Sequence, residues 1–102
     1  MYSLKYLPMA KRDMADIARY ISHTLANPTA AEKLASEMIE AAERLVTFPY
    51  ANPAYHPIRP LKHEYRRLLV RNYIMFYHVD EARKRVTIAR VVYARQDYEN
   101  SL

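Results

Sequence analysis

The sequence predicts an α+β domain whose strands and helices follow the order β-α-α-β-β-β. Apolar residues recur at helical spacing in two segments of the first half, alternating segments follow in the second half, and a proline-rich stretch separates the two. With 102 residues the chain is expected to form one domain, 1–102. The last three strands should form an antiparallel meander. We expect an antiparallel sheet that also includes the first strand, with a helical hairpin packed on one face and the other face left partly uncovered.

The first strand and first helix are predicted around Pro8. Residues 2–7 alternate weakly, which is typical of a short strand. Proline suits the first turn of a helix, where its missing N–H has no partner to lose. Residues 9–25 are therefore predicted to form an amphipathic helix, with its apolar stripe at Met14, Ile17, Ile21 and Leu25.

The second helix is predicted to start at Asn27-Pro28, where asparagine can cap the helix and proline can occupy its first position. Pro49 should end it. Its apolar stripe consists of Leu34, Met38, Ala41, Leu45 and Phe48. The two helices then form a hairpin with a very short connection. Residues 49–60 contain four prolines and predict a stiff loop of a length that is often functional.

Three strands are predicted at about 65–71, 73–79 and 85–94. Because the chain contains no glycine, the tight turn at Arg71-Asn72 is expected to rely on the tolerance of asparagine for a left-handed backbone. Strict alternation places Ile74, Phe76 and His78 on one face of the middle strand, and Val86, Ile88, Arg90 and Val92 on one face of the last. Both sheet faces are then rather apolar, which suggests that a partner covers the second one.

Arg90 stands among valine and isoleucine neighbours. An unpaired buried charge is costly, so this arginine should have an ion pair or a carbonyl contact within the domain. We favour that structural role over direct contact with a ligand.

Composition narrows the class of protein. Hydrophobic residues make up 51% and charged residues 26% of the chain, as in folded domains. No apolar run approaches the roughly 18 residues of a membrane span, and the N-terminus lacks the pattern of a signal peptide. The absence of cysteine excludes disulfides and makes a reducing cytoplasm the simplest location. Four scattered histidines and no glycine-rich loop predict neither a metal nor a cofactor.

Positive charge is concentrated in the second half of the chain. The net charge is +5, yet residues 9–48 hold five basic and six acidic side chains, whereas residues 56–95 hold ten basic and three acidic ones. Such a distribution suits a nucleic acid or an acidic protein segment as partner. Solubility alone accounts for it equally well.

Tyrosines and arginines interleave between residues 65 and 98, a mixture that suits base stacking, a protein interface or simply half-buried tyrosines. RNA cleavage would need a base, an acid and cations for the phosphate charge. Side chains of suitable type are Lys62, His63, Arg66, Arg67, Arg95 and Tyr98, with His56 and His78 as further candidates.

Five stretches carry a family resemblance: "YSLKY" before "AKRDMADIARYI", then "AERLVTFP", "YRRLLVRNYIMFYHV" and "IARVVYARQD". On these the chain resembles the RelE/ParE superfamily of toxins from type II toxin–antitoxin systems, and the ParE branch most closely. The resemblance implies a cytoplasmic growth-inhibiting toxin, of the kind linked to plasmid stabilisation, in a complex with a cognate antitoxin. An antitoxin of this kind typically wraps its toxin with a helix and an extended segment.

The resemblance bears on activity through Ile74. RNA-cutting members usually carry a basic residue just after the aromatic that opens the middle strand, and here isoleucine follows Tyr73. ParE-like members bind DNA gyrase instead, so we expect a gyrase inhibitor without catalysis of its own. The residues expected to bind target or antitoxin are Arg66, Arg67, Arg71, Arg90, Tyr93 and Arg95.

Two alternatives remain open. One is a ribosome-dependent mRNA interferase, for which the candidate catalytic residues are Arg66, Arg67, Arg95, His63 and Tyr98. Its partners would be the ribosome and mRNA rather than gyrase. The other is a degenerate member that binds only its antitoxin.

Overall fold

The computed structural model describes residues 1–57, 60–96 and 101–102, and in them two helices cover one face of a four-stranded sheet. The strands are β1 (Ser3–Tyr6), β2 (Arg66–Val70), β3 (Tyr73–Asp80) and β4 (Arg85–Tyr93). The helices, α1 (Pro8–Arg19) and α2 (Pro28–Arg44), follow β1 directly. The predicted order of elements and the α+β class are confirmed.

The sheet is mixed rather than antiparallel throughout, which corrects one part of the prediction. Its strand order is β1-β4-β3-β2, and β1 runs parallel to β4. Strands joined by tight turns must be antiparallel, as β2, β3 and β4 are. No such constraint acts between β1 and β4, because both helices and two strands separate them along the chain.

The first predicted helix changes its geometry before it ends. Pro8 opens α1 as expected, but the segment Tyr20–Thr24 forms a π-helical turn rather than a continuation of α1. The Leu25 N–H donates to the carbonyl of Tyr20, five residues earlier, at 3.1 Å. Single π-turns of this kind occur often at functional sites. Ala26 then adopts a positive φ of 50°, which redirects the chain into α2.

The second helix matches its predicted start and most of its stripe. The Asn27 side-chain oxygen accepts the Ala30 N–H at 3.1 Å and so caps α2. Leu34, Met38, Ala41 and Leu45 are buried in the core as predicted. Phe48 is not: the α-helix ends at Arg44, so the stripe does not extend to residue 48, whose side chain is 66% exposed.

A β-bulge at Ala89 reverses the alternation of β4. Phe76 lies opposite Arg90 but Tyr77 lies opposite Ile88, so Ala89 is the extra residue. Consequently Ile88 and Val91 both belong to the core under the helices. Val92 packs with Ile74 and Phe76 on the opposite face. The prediction that Val86, Ile88, Arg90 and Val92 share one face is therefore wrong.

In the β2–β3 turn Arg71, and not Asn72, adopts the left-handed backbone, with φ of 51°. Its guanidinium compensates for the cost by forming a bidentate ion pair with Glu37 of α2, in which Nη2 lies 2.7 Å from Oε1. The turn is thus tied to the helical layer.

The sheet face away from the helices, hereafter the outer face, is largely covered by the chain itself. Four partly buried residues pack against the buried residues of this face, which are Ile74, Phe76 and Val92. They are Tyr55, Tyr65, Ala94 and Leu102. The loop before β2 follows the sheet edge: Ala54 forms a β-bridge with Arg66, and the Tyr55 N–H donates to the Tyr65 carbonyl at 2.7 Å. Leu69, which pairs with Ile74 on the same face, remains 65% exposed. The expectation of a face left partly uncovered is therefore confirmed, but the chain itself, rather than a partner, shields the buried centre of that face.

Within the described ranges, no helix is long and apolar enough to cross a membrane. The same residues contain no group of three or more histidine, aspartate or glutamate side chains arranged to hold a metal ion.

Candidate functional site

Arg66 and Arg67 are adjacent in sequence but lie on opposite faces of the sheet. Arg66 is half-buried and Arg67 is exposed, as the alternation of a strand requires. The Arg66 guanidinium donates to the Asn52 carbonyl at 2.7 Å and lies 4.9 Å from the centre of the Tyr50 ring. It also pairs with Glu64. Arg66 therefore fastens the loop, and the two arginines do not form one patch.

Arg67 projects from the outer face beside the covering loop. Its guanidinium lies 5.8 Å from the centre of the Tyr55 ring, within the range of a weak cation–π contact. Arg95, just after β4, is exposed. Neither arginine has an ion pair among the residues that the structure describes. Of the six predicted binding residues, these two arginines retain uncompensated charge.

Arg90 has the internal ion pair predicted for it. Its Nε and Nη2 atoms donate to the two carboxylate oxygens of Asp13 at 2.8 and 3.1 Å, and Nη1 donates to the Ser101 carbonyl at 3.0 Å. The same Asp13 accepts the Val91 backbone N–H at 2.9 Å. The ion pair raises the pKa of Arg90 further. Arg90 thus joins α1, β4 and the last described residues of the chain.

A groove with a volume of about 930 Å³ lies between α1, the π-helical turn and the end of β4. Its apolar wall includes Ile17, Tyr20, Ile21, Leu25 and Tyr93. Tyr20 and Leu25 are 52% and 54% exposed, unusually open for large apolar side chains. Arg71 and Arg90 also line the groove, so it brings together three of the six predicted binding residues.

The floor of the groove is a free strand edge. β1 pairs only with the first part of β4, up to Ile88. Beyond Ile88, the Ala94 N–H donates to the Asn72 carbonyl, which fixes which residues of β4 form hydrogen bonds with β3. Because these residues alternate along an antiparallel strand, the backbone N–H and C=O groups of Val91 and Tyr93 point away from β3. Asp13 takes the Val91 N–H, and the Tyr93 carbonyl accepts from Gln96.

The Val91 carbonyl and the Tyr93 N–H remain. Neither has a hydrogen-bond partner in residues 1–57, 60–96 or 101–102. One acceptor and one donor at this spacing are what a further β-strand pairs with. The groove can therefore receive an extended peptide, with apolar side chains on its wall and backbone groups on its floor.

Two histidines form a separate cluster on the outer face. The rings of His63 and His78 are stacked, with centres 4.0 Å apart and planes within 8°. Tyr65 meets both rings edge-on, at 5.9 and 5.5 Å. Burial, and secondly the neighbouring His63, lower the pKa of His78, while Asp80 opposes them.

The remaining predicted residues are dispersed. His56 and Lys62 are exposed on the loop. Tyr98 lies outside the described residues. Sequence reasoning missed Tyr20 as a groove residue. It is not one of the apolar positions of the predicted stripe, and in the π-helical turn its carbonyl accepts the Leu25 N–H, with both residues lining the groove.

Comparison with protein families identifies a toxin family. The family model described as the ParE toxin of a type II toxin–antitoxin system, parDE, matches residues 4–98. Comparison with curated protein sequences gave no match.

Solved structures with a similar fold include several toxins. One, from the chromosomal ParDE toxin–antitoxin system of P. aeruginosa, has a TM-score of 0.71 at 21% identity, covering 93% of this chain and 98% of that chain. A second, from the RelBE2 toxin–antitoxin complex of Mycobacterium tuberculosis, has a TM-score of 0.65 at 18% identity, with coverage of 90% and 96%. The isolated E. coli RelE toxin has a TM-score of 0.56 at 18% identity, with coverage of 99% and 93%. At these identities the likeness establishes the fold.

Proposed function

The chain belongs to the ParE toxin family of type II toxin–antitoxin systems, and from that membership we propose that it inhibits DNA gyrase by binding, without catalysis of its own. The supporting observation is the state of Ile74. The position at which an RNA-cutting relative would carry a cation holds an isoleucine that is only 5% exposed. It is buried beneath the chain's own tyrosines rather than facing a substrate.

The engagement of the arginines also favours binding over RNA cleavage. Arg66, Arg71 and Arg90 are committed to Glu64, Glu37 and Asp13. A cation that is already paired with a carboxylate does little to stabilise the negative charge of a phosphorane. Arg67 and Arg95 are the exposed cations that can meet an acidic surface of the target.

Supercoiling by purified gyrase tests this proposal. The wild-type protein should inhibit the reaction, and the Arg67→Ala and Arg95→Ala variants should each need about 10-fold more protein for half inhibition, as for an interface arginine worth roughly 1.4 kcal/mol. Arg83→Ala is the matched control, because Arg83 is an exposed arginine in the β3–β4 turn. If the Arg67→Ala and Arg95→Ala variants inhibited gyrase as strongly as Arg83→Ala, the assignment of Arg67 and Arg95 to the gyrase interface would be refuted. If the wild type did not inhibit the reaction, gyrase would be refuted as the target.

One observation favours the second candidate function, an mRNA interferase that acts on the ribosome. The His63–His78 pair and Arg67 lie on the same sheet face, which therefore carries a proton-transfer group and a cation. Toeprinting on translating ribosomes separates this candidate from gyrase inhibition. New mRNA ends that disappear in a His63→Ala variant would support it, and unchanged ends with the wild type would exclude it. Inactivity in both assays, with antitoxin binding retained, would indicate the degenerate alternative.

We further propose that the cognate antitoxin neutralises the toxin through the groove. The groove offers an apolar wall and a free strand edge, and the chain's positive charge suits an acidic segment. A Leu25→Asp substitution should weaken binding of the antitoxin encoded beside this gene by at least about 10-fold, because it places a charge on the apolar wall.

Ile39→Asp provides the control for the groove. Ile39 is 44% exposed on α2 and does not line the groove, so this variant should bind the antitoxin like the wild type. Equal weakening by both variants would mean a general loss of folding. Unchanged binding by Leu25→Asp would place the antitoxin elsewhere on the molecule.

A further inference from the structure

We propose that the stacked pair of His63 and His78 is a proton-sensitive latch, which holds the loop before β2 on the outer face and releases it when both rings are charged. This goes beyond the proposed function, since neither gyrase nor the antitoxin is needed for it. In the described residues the loop comprises 49–57 and 60–65, and its Tyr55 and Tyr65 pack against the cluster of Ile74, Phe76 and Val92.

His63 of the loop makes a stacked aromatic contact with His78 of β3. The His63 ring lies flat on that of His78 at 4.0 Å. Tyr65 packs edge-on against both rings and also against the buried cluster of the outer face. The Tyr65 carbonyl in turn accepts the Tyr55 N–H, and the Tyr55 ring lies 5.2 Å from that of Phe76. Contacts thus run without interruption from the histidine pair to the covered cluster.

The charge on the two rings decides whether they attract or repel each other. Two neutral imidazole rings stack favourably, and one charged ring over a neutral ring is still attractive, as in a cation–π contact. Two imidazolium rings at 4.0 Å repel each other, and the partial burial of His78 weakens solvent screening of that repulsion. The doubly charged state therefore adds a repulsion between the rings that neither singly charged state has.

The groups around His78 favour its neutral form in the closed state. His63 and Tyr65 face it from the loop, Asp80 from β3, and the uncharged Thr87 lies opposite on β4. Burial, and then His63, lower the pKa of His78, against the smaller effect of Asp80. A lowered folded-state pKa means that the contribution of His78 to stability is fully present above about pH 6.5. It is lost as the pH falls through the folded-state value.

Amide hydrogen exchange of Tyr55, followed by NMR in the protein alone, tests the latch. This N–H is hydrogen-bonded to Tyr65 only while the loop is closed. Between about pH 7.5 and about pH 5.0 its protection factor, corrected for the intrinsic exchange rate, should fall at least about 10-fold. Amides within α2 should keep their protection, which separates loop opening from global unfolding.

Two variants decide between the latch and other causes. His63→Phe keeps a ring on His78 but cannot be charged, so the protection of Tyr55 should fall clearly less than in the wild type between the two pH values. His63→Ala removes the contact, so Tyr55 should exchange rapidly at both. His23→Phe, in the π-helical turn, is the control and should behave like the wild type. A pH-independent wild type, or a His63→Phe variant that opens like the wild type, would overturn the proposal. So would loss of α2 protection together with that of Tyr55.

Discussion

Asp13 is the residue on which several elements of the molecule converge. Its carboxylate accepts hydrogen bonds from Nε and Nη2 of Arg90 and from the Val91 N–H. Val91 lies beyond the part of β4 that pairs with β1. The sequence predicted that Arg90 needs a partner but not which one. Asp13 of α1 and Arg90 of β4 are far apart in the sequence, so no local pattern connects the two residues.

Removing this carboxylate should be costly. Asp13→Ala leaves a half-buried arginine without its carboxylate and the Val91 N–H without a partner, so the free energy of unfolding should fall by about 3 kcal/mol. Asp16→Ala is the matched control. Asp16 lies on the same helix and pairs with exposed Arg19, so a loss of no more than about 0.5 kcal/mol is expected. Urea denaturation of both variants measures the difference, and equal losses would contradict the role given to Asp13.

Glu81 makes the stability of the folded protein depend on pH. An ion pair with Lys84 and hydrogen bonds from Tyr50 and Tyr2 lower the pKa of Glu81 to about 2. Since the folded-state pKa lies below the ordinary value of 4.5, the stabilisation is present above that value and is lost as the pH falls towards 2. The raised pKa of Tyr50, about 12, reflects the same contact.

Glu81→Gln should therefore flatten the decline in melting temperature between about pH 4.5 and about pH 2. Glu40→Gln, at an exposed position of α2, should leave the decline as in the wild type. Thermal melts across this pH range make the comparison. A Glu81→Gln profile that still parallels the wild type would show that Glu81 does not carry the effect.

Helices and strands were predicted well where their signals are local. The proline at the start of α1, the cap at Asn27 and the stripe of α2 all act within one turn of helix, so they are readable from spacing. The π-helical turn and the bulge at Ala89 are not. Each inserts one residue to satisfy packing against another element, and nothing in the local pattern announces it. The bulge alone moved Val91 and Val92 to the faces opposite those predicted.

The cap of α2 gives a test at this scale. Asn27→Ala removes the acceptor of the Ala30 N–H and should lower the free energy of unfolding by about 1 kcal/mol. Asn27→Asp keeps an acceptor at the same place and should remain close to the wild type. Chemical denaturation distinguishes the two. If Asn27→Asp lost as much as Asn27→Ala, the cap would not be the source of the stabilisation.

At the scale of the whole molecule, the excess of positive charge in the second half translates only partly into a binding surface. Of the six residues predicted to bind a target or antitoxin, Arg66 fastens the loop, while Arg71, Arg90 and Tyr93 line the groove. Arg67 and Arg95 remain exposed cations. Sequence alone could not sort them, because an arginine with an internal carboxylate partner and one without look the same in a charge count.

The two proposed surfaces have separate consequences for function. If the groove receives the antitoxin and the exposed arginines meet gyrase, a Leu25→Asp toxin should still inhibit gyrase but resist rescue by its antitoxin. Growth of cells that express this variant with the antitoxin should therefore be impaired, whereas cells with Ile39→Asp should grow normally. Full rescue of both variants would mean that the groove is not needed for neutralisation.

Cleavage-complex formation by gyrase tests the central claim most directly. Purified gyrase and supercoiled plasmid are titrated with the toxin, and linear DNA released after protein digestion is measured with and without equimolar antitoxin. The account predicts that linear DNA rises with toxin concentration, that antitoxin abolishes the rise, and that ribosomal mRNA ends stay unchanged in a parallel translation reaction. Absence of linear DNA and of any supercoiling inhibition, together with new mRNA ends on translating ribosomes, would contradict it.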